Sequence, residues 1–331
     1  MKTLGIETSC DETSLAILDD GRIVINEIYT QEAHTAFGGV VPEIASRAHI
    51  EKIDALCRTA FGKAELRPSD IDLIAVTDRP GLAGALLVGI SFALGLHCGN
   101  GIPITGVNHL EGHICSIFLE YPDLDLPFLA LIVSGGHTSI YKVDDFGTYA
   151  CLGQTVDDAA GEAFDKIGKL LGFTYPAGRS IEQEAALASG APLISFPVAR
   201  MSASRLDFSF SGLKTAVKYH LLEKGPRYIN DNRPLICASF QKTTVDALVN
   251  NARDASRQTG IRTIAVVGGV ACNKYLRTRM NEAFGHHVFF PSPSLCTDNA
   301  AMIARAGYER GRRSMLRVPH MAPSAELQRE D

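Results

Sequence analysis

Thr8-Ser9-Cys10-Asp11-Glu12-Thr13-Ser14 and Val133-Ser134-Gly135-Gly136-His137-Thr138-Ser139 are the two stretches whose reading decides the fold. Each is a short polar turn set between apolar runs. Ser9 and Ser134, Thr13 and Thr138, and Ser14 and Ser139 are related by one constant offset. Three matches alone are thin, so the flanks have to agree. Residues 2–7 and 14–18 read as strands, and Asp20-Gly21 is a two-residue hairpin turn into a third strand over 22–29. Around the second turn, 128–133, 138–143 and 148–152 read the same way. A repeated βββ opening with a matched first turn predicts a duplicated domain.

Working outward, Ile44, Ala48, Ile53, Leu56 and Ala60 set a helical stripe over 42–61. A strand over 71–77, an apolar helix over 82–96, a strand over 102–108 and a further helix complete a βββαβαβα order. In the second half, helices are expected over 157–171, 181–189, 213–222, 234–257, 272–284 and 298–310, with strands over 262–267 and 287–290. The predicted fold is therefore α/β, with two duplicated βββαβαβα lobes, 1–125 and 126–299, around a central cleft. The C-terminal stretch, about 300–331, is expected to pack back on the first lobe. This is the actin-like ATPase (ASKHA) architecture, in which strand-turn-strand loops approach nucleotide phosphates from both lobes.

The composition suits a globular protein: 331 residues, 46% hydrophobic and 21% charged. The net charge of −5 supplies no global field for nucleic acid. Arg305, Arg310, Arg312, Arg313 and Arg317 read first as a solvated helix end, and otherwise as a local basic face. Eight cysteines without a C-x-x-C argue for reduced, cytoplasmic usage rather than a disulfide frame or a zinc ribbon. Glu7 arrives too early for a signal sequence. The uncharged 82–96 stretch, ~15 residues, falls short of the ~20 needed to span a bilayer. It is expected to lie buried between the sheet and a neighbour, so no membrane role follows.

His109 and His113 stand four apart in Val107-Asn108-His109-Leu110-Glu111-Gly112-His113-Ile114. On a helix that spacing aims both imidazoles from one face, as half of a metal site or as a satisfied core pair. A metallopeptidase would need its glutamate beside the first histidine. Glu111 lies two residues on, roughly 200° around the helix, so it points away. Asp298 reads from spacing as a helix N-cap, with a third metal ligand as the rival reading. Ser134-Gly135-Gly136-His137 is a candidate phosphate nest or a plain hairpin. Gly268-Gly269-Val270-Ala271-Cys272-Asn273 follows a strand and opens a helix, suited to a nucleoside or phosphate or simply to strand–helix packing. Asp158, Glu162 and Asp165 line one helical face, as a solvated stripe or a wall reaching ribose hydroxyls. Gly168-Lys169 is no P-loop, since Leu170 stands where a hydroxyl is needed and Ala163 where a glycine is needed. No dinucleotide fingerprint follows a strand.

Taken in order, Gly5-Ile6-Glu7-Thr8-Ser9-Cys10-Asp11-Glu12-Thr13, Gly38-Gly39-Val40-Val41-Pro42-Glu43, His109 with Gly112-His113, Val133 to Thr138, Asp157 to Lys166, Phe208 to Thr215 and Cys296-Thr297-Asp298-Asn299 carry a further signal. Together they resemble the TsaD/Gcp family of tRNA N6-adenosine threonylcarbamoyltransferases, once labelled sialoglycoprotein endopeptidases. The resemblance reaches about Tyr308. It implies an actin-like fold and transfer of a threonylcarbamoyl group from threonylcarbamoyl-AMP to N6 of the adenosine beside the anticodon, in tRNAs reading codons that start with A, with release of AMP. It implies one divalent metal ion, Fe2+ or Zn2+, held by His109, His113 and Asp298. It implies that Ile132, Val133, Ser134, Gly135, Gly136, Asp165, Gly178 and Asn273 bind the donor, and that partners are a TsaB-like paralogue and a TsaE-like ATPase. Glu12 is the candidate for positioning the adenosine amine. A zinc metallopeptidase and a non-catalytic scaffold paralogue are the rivals. Two motifs depart from the family pattern: Asp78-Arg79-Pro80-Gly81-Leu82 stands where Gly-Pro-Gly-Leu is usual, and Ala177 and Arg179 flank Gly178 where Gly and Pro are usual. Ala177 is a poor choice if its loop needs a positive φ.

Overall fold

The computed structural model describes residues 1–188, 192–198 and 206–320. Position 189, where one helix was expected to end, and 321–331 of the C-terminal stretch lie outside the described residues. The chain forms two compact units: Met1–Asp125 with Asp145–Tyr149 and the chain from Ser294, and Leu126–Asp144 with Ala150–Pro293.

The first unit contains β1 (Lys2–Glu7), β2 (Glu12–Asp19), β3 (Arg22–Thr30), α1 (Pro42–Ala64), β4 (Leu73–Arg79), α2 (Ala83–Asn100), β5 (Ile104–Asn108) and α3 (His109–Ser116). Its sheet order is β3-β2-β1-β4-β5, with the first three strands antiparallel and β1, β4 and β5 parallel. The second unit contains β6 (Phe128–Val133), β7 (Thr138–Asp145), β8 (Thr148–Gln154), α4 (Ala160–Leu170), α5 (Gly178–Ala185), α6 (Ser211–Thr259), β9 (Ile264–Val267), α7 (Lys274–Phe284) and β10 (Val288–Phe289). Its sheet order, β8-β7-β6-β9-β10, repeats the first with the same antiparallel and parallel pairs around its central strand. The duplicated α/β fold read from the two turns is therefore present.

The lobes are not copies throughout. Where the first has one α-helix between its third and fourth strands, the second has three among the described residues. The helices expected over 213–222 and 234–257 run on as the single long path α6, bent at Gly225 (φ 79°) and Asn232 (φ −120°, ψ 16°) beside Pro226 and Pro234. Proline removes a helix donor and clashes one turn back, so the bends fall where the sequence places it.

A short α8 (Pro293–Cys296) leads to α9 (Ala300–Arg312), which covers one face of the first sheet. Alternation along β2 shows how both faces are filled. Leu15 and Ile17 join the core with α1 and α2, while Ala16 and Leu18 face α9. The α9 side uses small residues because helix and sheet nearly touch. A Cβ on Gly5 would lie 2.2 Å from the Ala300 carbonyl oxygen, and one on Gly307 would lie 2.3 Å from the Ala75 Cβ. The helix α2 differs from expectation. It is 18 residues long and, by length and composition only, apolar enough to cross a membrane. Only one face, with Ala85, Leu86, Gly89, Ile90 and Ala93, is buried, while Leu87 and Leu94 are exposed.

Candidate metal centre

The centre is built where three elements of the first unit end. β5 delivers Asn108, whose side-chain oxygen accepts the Leu110 amide at 2.8 Å and caps α3. His109 and His113 then occupy one face of α3, with ring centroids 4.7 Å apart. Asp298 lies just before α9. The sequence reading gave that helix's cap to Asp298, but the N-cap is Asn299, whose side-chain oxygen accepts the Met302 amide at 3.1 Å. Ser14 on β2 accepts the Ala300 amide at 2.9 Å. With the cap filled by its neighbour, Asp298 turns its Oδ1 to His113 Nε2 at 3.2 Å and to His109 Nε2 at 3.5 Å.

These three residues fit a divalent cation. One donor atom from each lies within 4.8 Å of the others. Asp298 Oδ1, 3.2 Å and 3.5 Å from the two Nε2 atoms, stands at the roughly 3–3.5 Å spacing of ligands held ~2.0–2.2 Å from a shared ion. His113 is fully buried; its Nε2 lies 3.2 Å from Asp298 Oδ1 without hydrogen-bond geometry, and its Nδ1 makes no hydrogen bond. A buried imidazole without a well-formed hydrogen bond is costly unless a ligand satisfies it. Burial acts to lower the His109 imidazole, but the Asp298 and Glu7 carboxylates outweigh it and lift it to about 9. The field that would hold a proton there would also hold a cation.

Glu111 is not a base for this centre. It is buried, paired with Arg310 at 2.8 Å, and accepts the Tyr149 hydroxyl at 3.2 Å. The metallopeptidase arrangement is thus missing in structure as in sequence. The basic stretch 305–317 is for the most part ion-paired rather than a solvated end, with Arg312 exposed. Arg305 pairs with Glu309, Arg310 with Glu111, Arg313 with Asp145 and Arg317 with Asp78. Arg305 and Arg310 are buried, because α9 is covered along much of its length.

Glu12 begins β2, half-buried. Burial, followed by the charges of Asp298 and Asp11, pushes its carboxyl well above the usual carboxylate range. Sequence reasoning missed Glu7 and Thr77. Glu7 is fully buried at the end of β1 and accepts from Thr77 Oγ1 at 2.6 Å. A charged residue closing a run as apolar as Leu4-Gly5-Ile6 was the available signal.

In the second unit, Ile132 and Val133 end β6, and Ser134 closes the turn by donating its amide to the His137 carbonyl at 2.8 Å. Ser134 Oγ accepts the His137 amide at 3.1 Å. Neither Gly135 nor Gly136 has a positive φ, so this is not the alternating-handed nest expected from paired glycines. What the glycines provide is room, since a Cβ on either would meet nothing within 4 Å. Asp165 accepts the Ala177 amide at 2.8 Å, holding the loop before Gly178. Ala177 itself has φ −95°, so its replacement of glycine costs no strain. Asn273 caps α7 by accepting the Leu276 amide at 2.9 Å, and donates to Gln241 at 2.9 Å. The acidic stripe is internally paired: Asp158 with Lys166 and Lys214, and Glu162 with Lys166.

Two sheets of matching order define an actin-like ATPase-fold protein, and its histidine–histidine–carboxylate group is compatible with a divalent metal. Solved structures agree on the fold. HypF of T. kodakarensis superposes with a TM-score of 0.65 at 14% identity, covering 95% of this chain and 48% of that one. The activator of 2-hydroxyisocaproyl-CoA dehydratase from Clostridium difficile does so at 0.54 and 15%, covering 95% and 97%. Within that class, residues 22–305 match the model of the family described as TsaD, tRNA N6-adenosine threonylcarbamoyltransferase, and the chain belongs to that family. Relatives bearing that name include those of Thermotoga neapolitana, 48% identical over 95% of this chain and 96% of the relative, and Geotalea uraniireducens, 50% over 93% and 90%. A third, from Clostridium botulinum, is 47% identical over 98% and 97%.

Proposed function

We propose that this chain transfers a threonylcarbamoyl group to N6 of an adenosine in tRNA, the reaction its family is named for. The observation that carries the reading is the convergence of His109, His113 and Asp298, in a member of that family, while Glu111 is tied to Arg310 and Tyr149. The donor proposed is threonylcarbamoyl-AMP, accepted from a separate synthase, with AMP as leaving group. The ion proposed is Fe2+ or Zn2+; held by the three residues, it supplies Lewis-acid polarisation of a phosphate or carbonyl oxygen.

The chain's own groups divide the remaining work. Ile132 to Gly136 would offer backbone amides to the donor, with Asp165, Gly178 and Asn273 completing its site. Close backbone approach is what the side-chain-free Gly135 and Gly136 allow. Glu12 would orient the adenosine amine. No strong base is needed, because an acyl phosphate has a good leaving group and asks mainly for orientation and charge stabilisation. Partners proposed are a TsaB-like paralogue and a TsaE-like ATPase, in the cytoplasm.

The test is reconstitution with threonylcarbamoyl-AMP, unmodified tRNA and the partner proteins, followed by nucleoside analysis of digested tRNA. Threonylcarbamoyladenosine together with AMP is expected, with no cleavage of a glycoprotein added to the same mixture. Peptide cleavage without modified nucleoside would overturn the reading.

A further inference from the structure

One fully buried carboxylate of the first unit has no role so far. Glu7 receives three donors: the Ser9 amide at 2.5 Å on Oε1, and the Thr77 hydroxyl at 2.6 Å and His109 Nδ1 at 3.1 Å on Oε2. Ser9 Oγ lies 3.2 Å from the same His109 nitrogen. The opposite nitrogen, Nε2, is the one that faces Asp298.

We infer that Glu7 is the positioning residue of the metal centre: by accepting Nδ1–H it fixes the ring angle and tautomer of His109, so that the Nε2 lone pair is presented to the ion. The inference rests on the reading of His109, His113 and Asp298 as the metal-holding set. A neutral imidazole carries one proton, and the nitrogen that keeps it cannot bind a metal. A carboxylate on the far nitrogen decides which one keeps it and raises the basicity of the other. The arrangement is rigid, because β1 supplies Glu7, β4 supplies Thr77 and both groups are fully buried. His113 has no such support on its far side: Nε2 faces Asp298, while Nδ1 makes no hydrogen bond. The two imidazoles are thus unequal: one is oriented through its far nitrogen by the sheet, and the other has no such hydrogen bond.

A carboxamide could not replace this carboxylate. Glutamine has one acceptor oxygen, and its amide group would face a donor, so at least one of the three donors would lose its partner. The experiment compares full-length wild type, Glu7→Gln and His113→Ala by competition for Zn2+ against a zinc-sensitive dye, beside thermal melts. Glu7→Gln is expected to lower Zn2+ affinity ~10–100-fold, and His113→Ala to lower it further. Wild-type affinity in Glu7→Gln, with loss in His113→Ala, would overturn the inference and leave the metal centre standing. Wild-type affinity in both would overturn the metal reading itself. Should Glu7→Gln not fold, nitrogen-15 spectra of Zn2+-loaded wild type decide. A proton on His109 Nδ1 with Nε2 metal-bound supports the inference, and the reverse tautomer overturns it.

Discussion

The turn after β1 and the turn after β6 occupy the same place in two copies of one sheet, yet they are made of different material. The first, Thr8 to Asp11, is gripped by side chains. Thr8 Oγ1 donates to the Ala85 carbonyl at 2.9 Å, Ser9 bonds Glu7 and approaches His109, and His49 Nε2 donates to the Cys10 carbonyl at 3.0 Å. The second, Ser134 to His137, bonds mainly to itself and leaves two glycines facing open space. In both, the loop after the fourth strand closes on the turn. A Cβ on Gly81 would lie 2.8 Å from the Ser9 carbonyl oxygen, and one on Gly268 would lie 2.5 Å from that of Val133. Duplication thus kept the backbone approach and let the side chains diverge. One copy became a wall for histidines and carboxylates, the other an uncovered stretch of backbone amides.

The sharpest way to break that contrast is at the metal side. His109→Ala removes a ligand as well as the group Glu7 orients, and should cost more than the ~10–100-fold typical of an outer-shell change. Metal content per chain beside a thermal melt measures it. Retention of wild-type stoichiometry in a folded variant would assign the histidine face to the core instead. Next in size is Gly5→Ala. Its methyl would meet the Ala300 carbonyl, so α9 must move; overpacking of this kind costs typically ~1–3 kcal/mol. Because Asp298 lies two residues before Ala300, metal affinity should fall along with the melting temperature. A lower melting temperature with unchanged affinity would uncouple the helix from the site.

The second turn should respond in the opposite sense. Gly136→Val adds a side chain where nothing is met, so the melt should barely change. A ligand lying against that backbone would be displaced, with about a tenfold loss of affinity, near 1.4 kcal/mol. Titration with a non-hydrolysable donor analogue checks this, and normal affinity would make Ser134 to His137 an ordinary hairpin.

How much of this was readable in the sequence follows from what kind of information each feature uses. The sheets were legible because strand alternation and the matched polar turns are local. His109 and His113 were legible because helical spacing puts them on one face. Asp298 and Asn299 were not separable, since both cap helices well and only the approach of α9 to Ser14 decides between them. Arg305 and Arg310 were misread because their partners include Glu111, far away in sequence. The nest reading of Gly135-Gly136 failed because paired glycines permit a positive φ without requiring one.

The smallest effect is expected outside both turns, at the loop that closes on the first. Asp78 lies near the end of β4, just before that loop. The side chain is fully buried, pairs with Arg317 at 3.0 Å and accepts the His320 amide at 2.9 Å. Gly106 donates its amide to the Arg317 carbonyl at 3.0 Å, so the C-terminal stretch lies along β5 and meets the loop through Asp78. Burial pushes the carboxyl up to about 6, against the opposing His320 amide and Arg79. An aspartate in an unfolded chain titrates near ~3.9. Between those values the folded protein keeps a proton that the unfolded chain has released. The stability this group contributes is therefore fully present at the acid end and lost as pH rises through 6. From pH 5 to pH 7 the loss is about 1.4 kcal/mol, one pK unit's worth. Asp78→Asn has no such titration, so it should gain on the wild type by that amount over the same interval. Paired denaturant melts at the two pH values measure the difference. A constant gap would mean that Arg317 holds Asp78 ionised throughout, and that the fold accommodates this ion pair without a burial penalty.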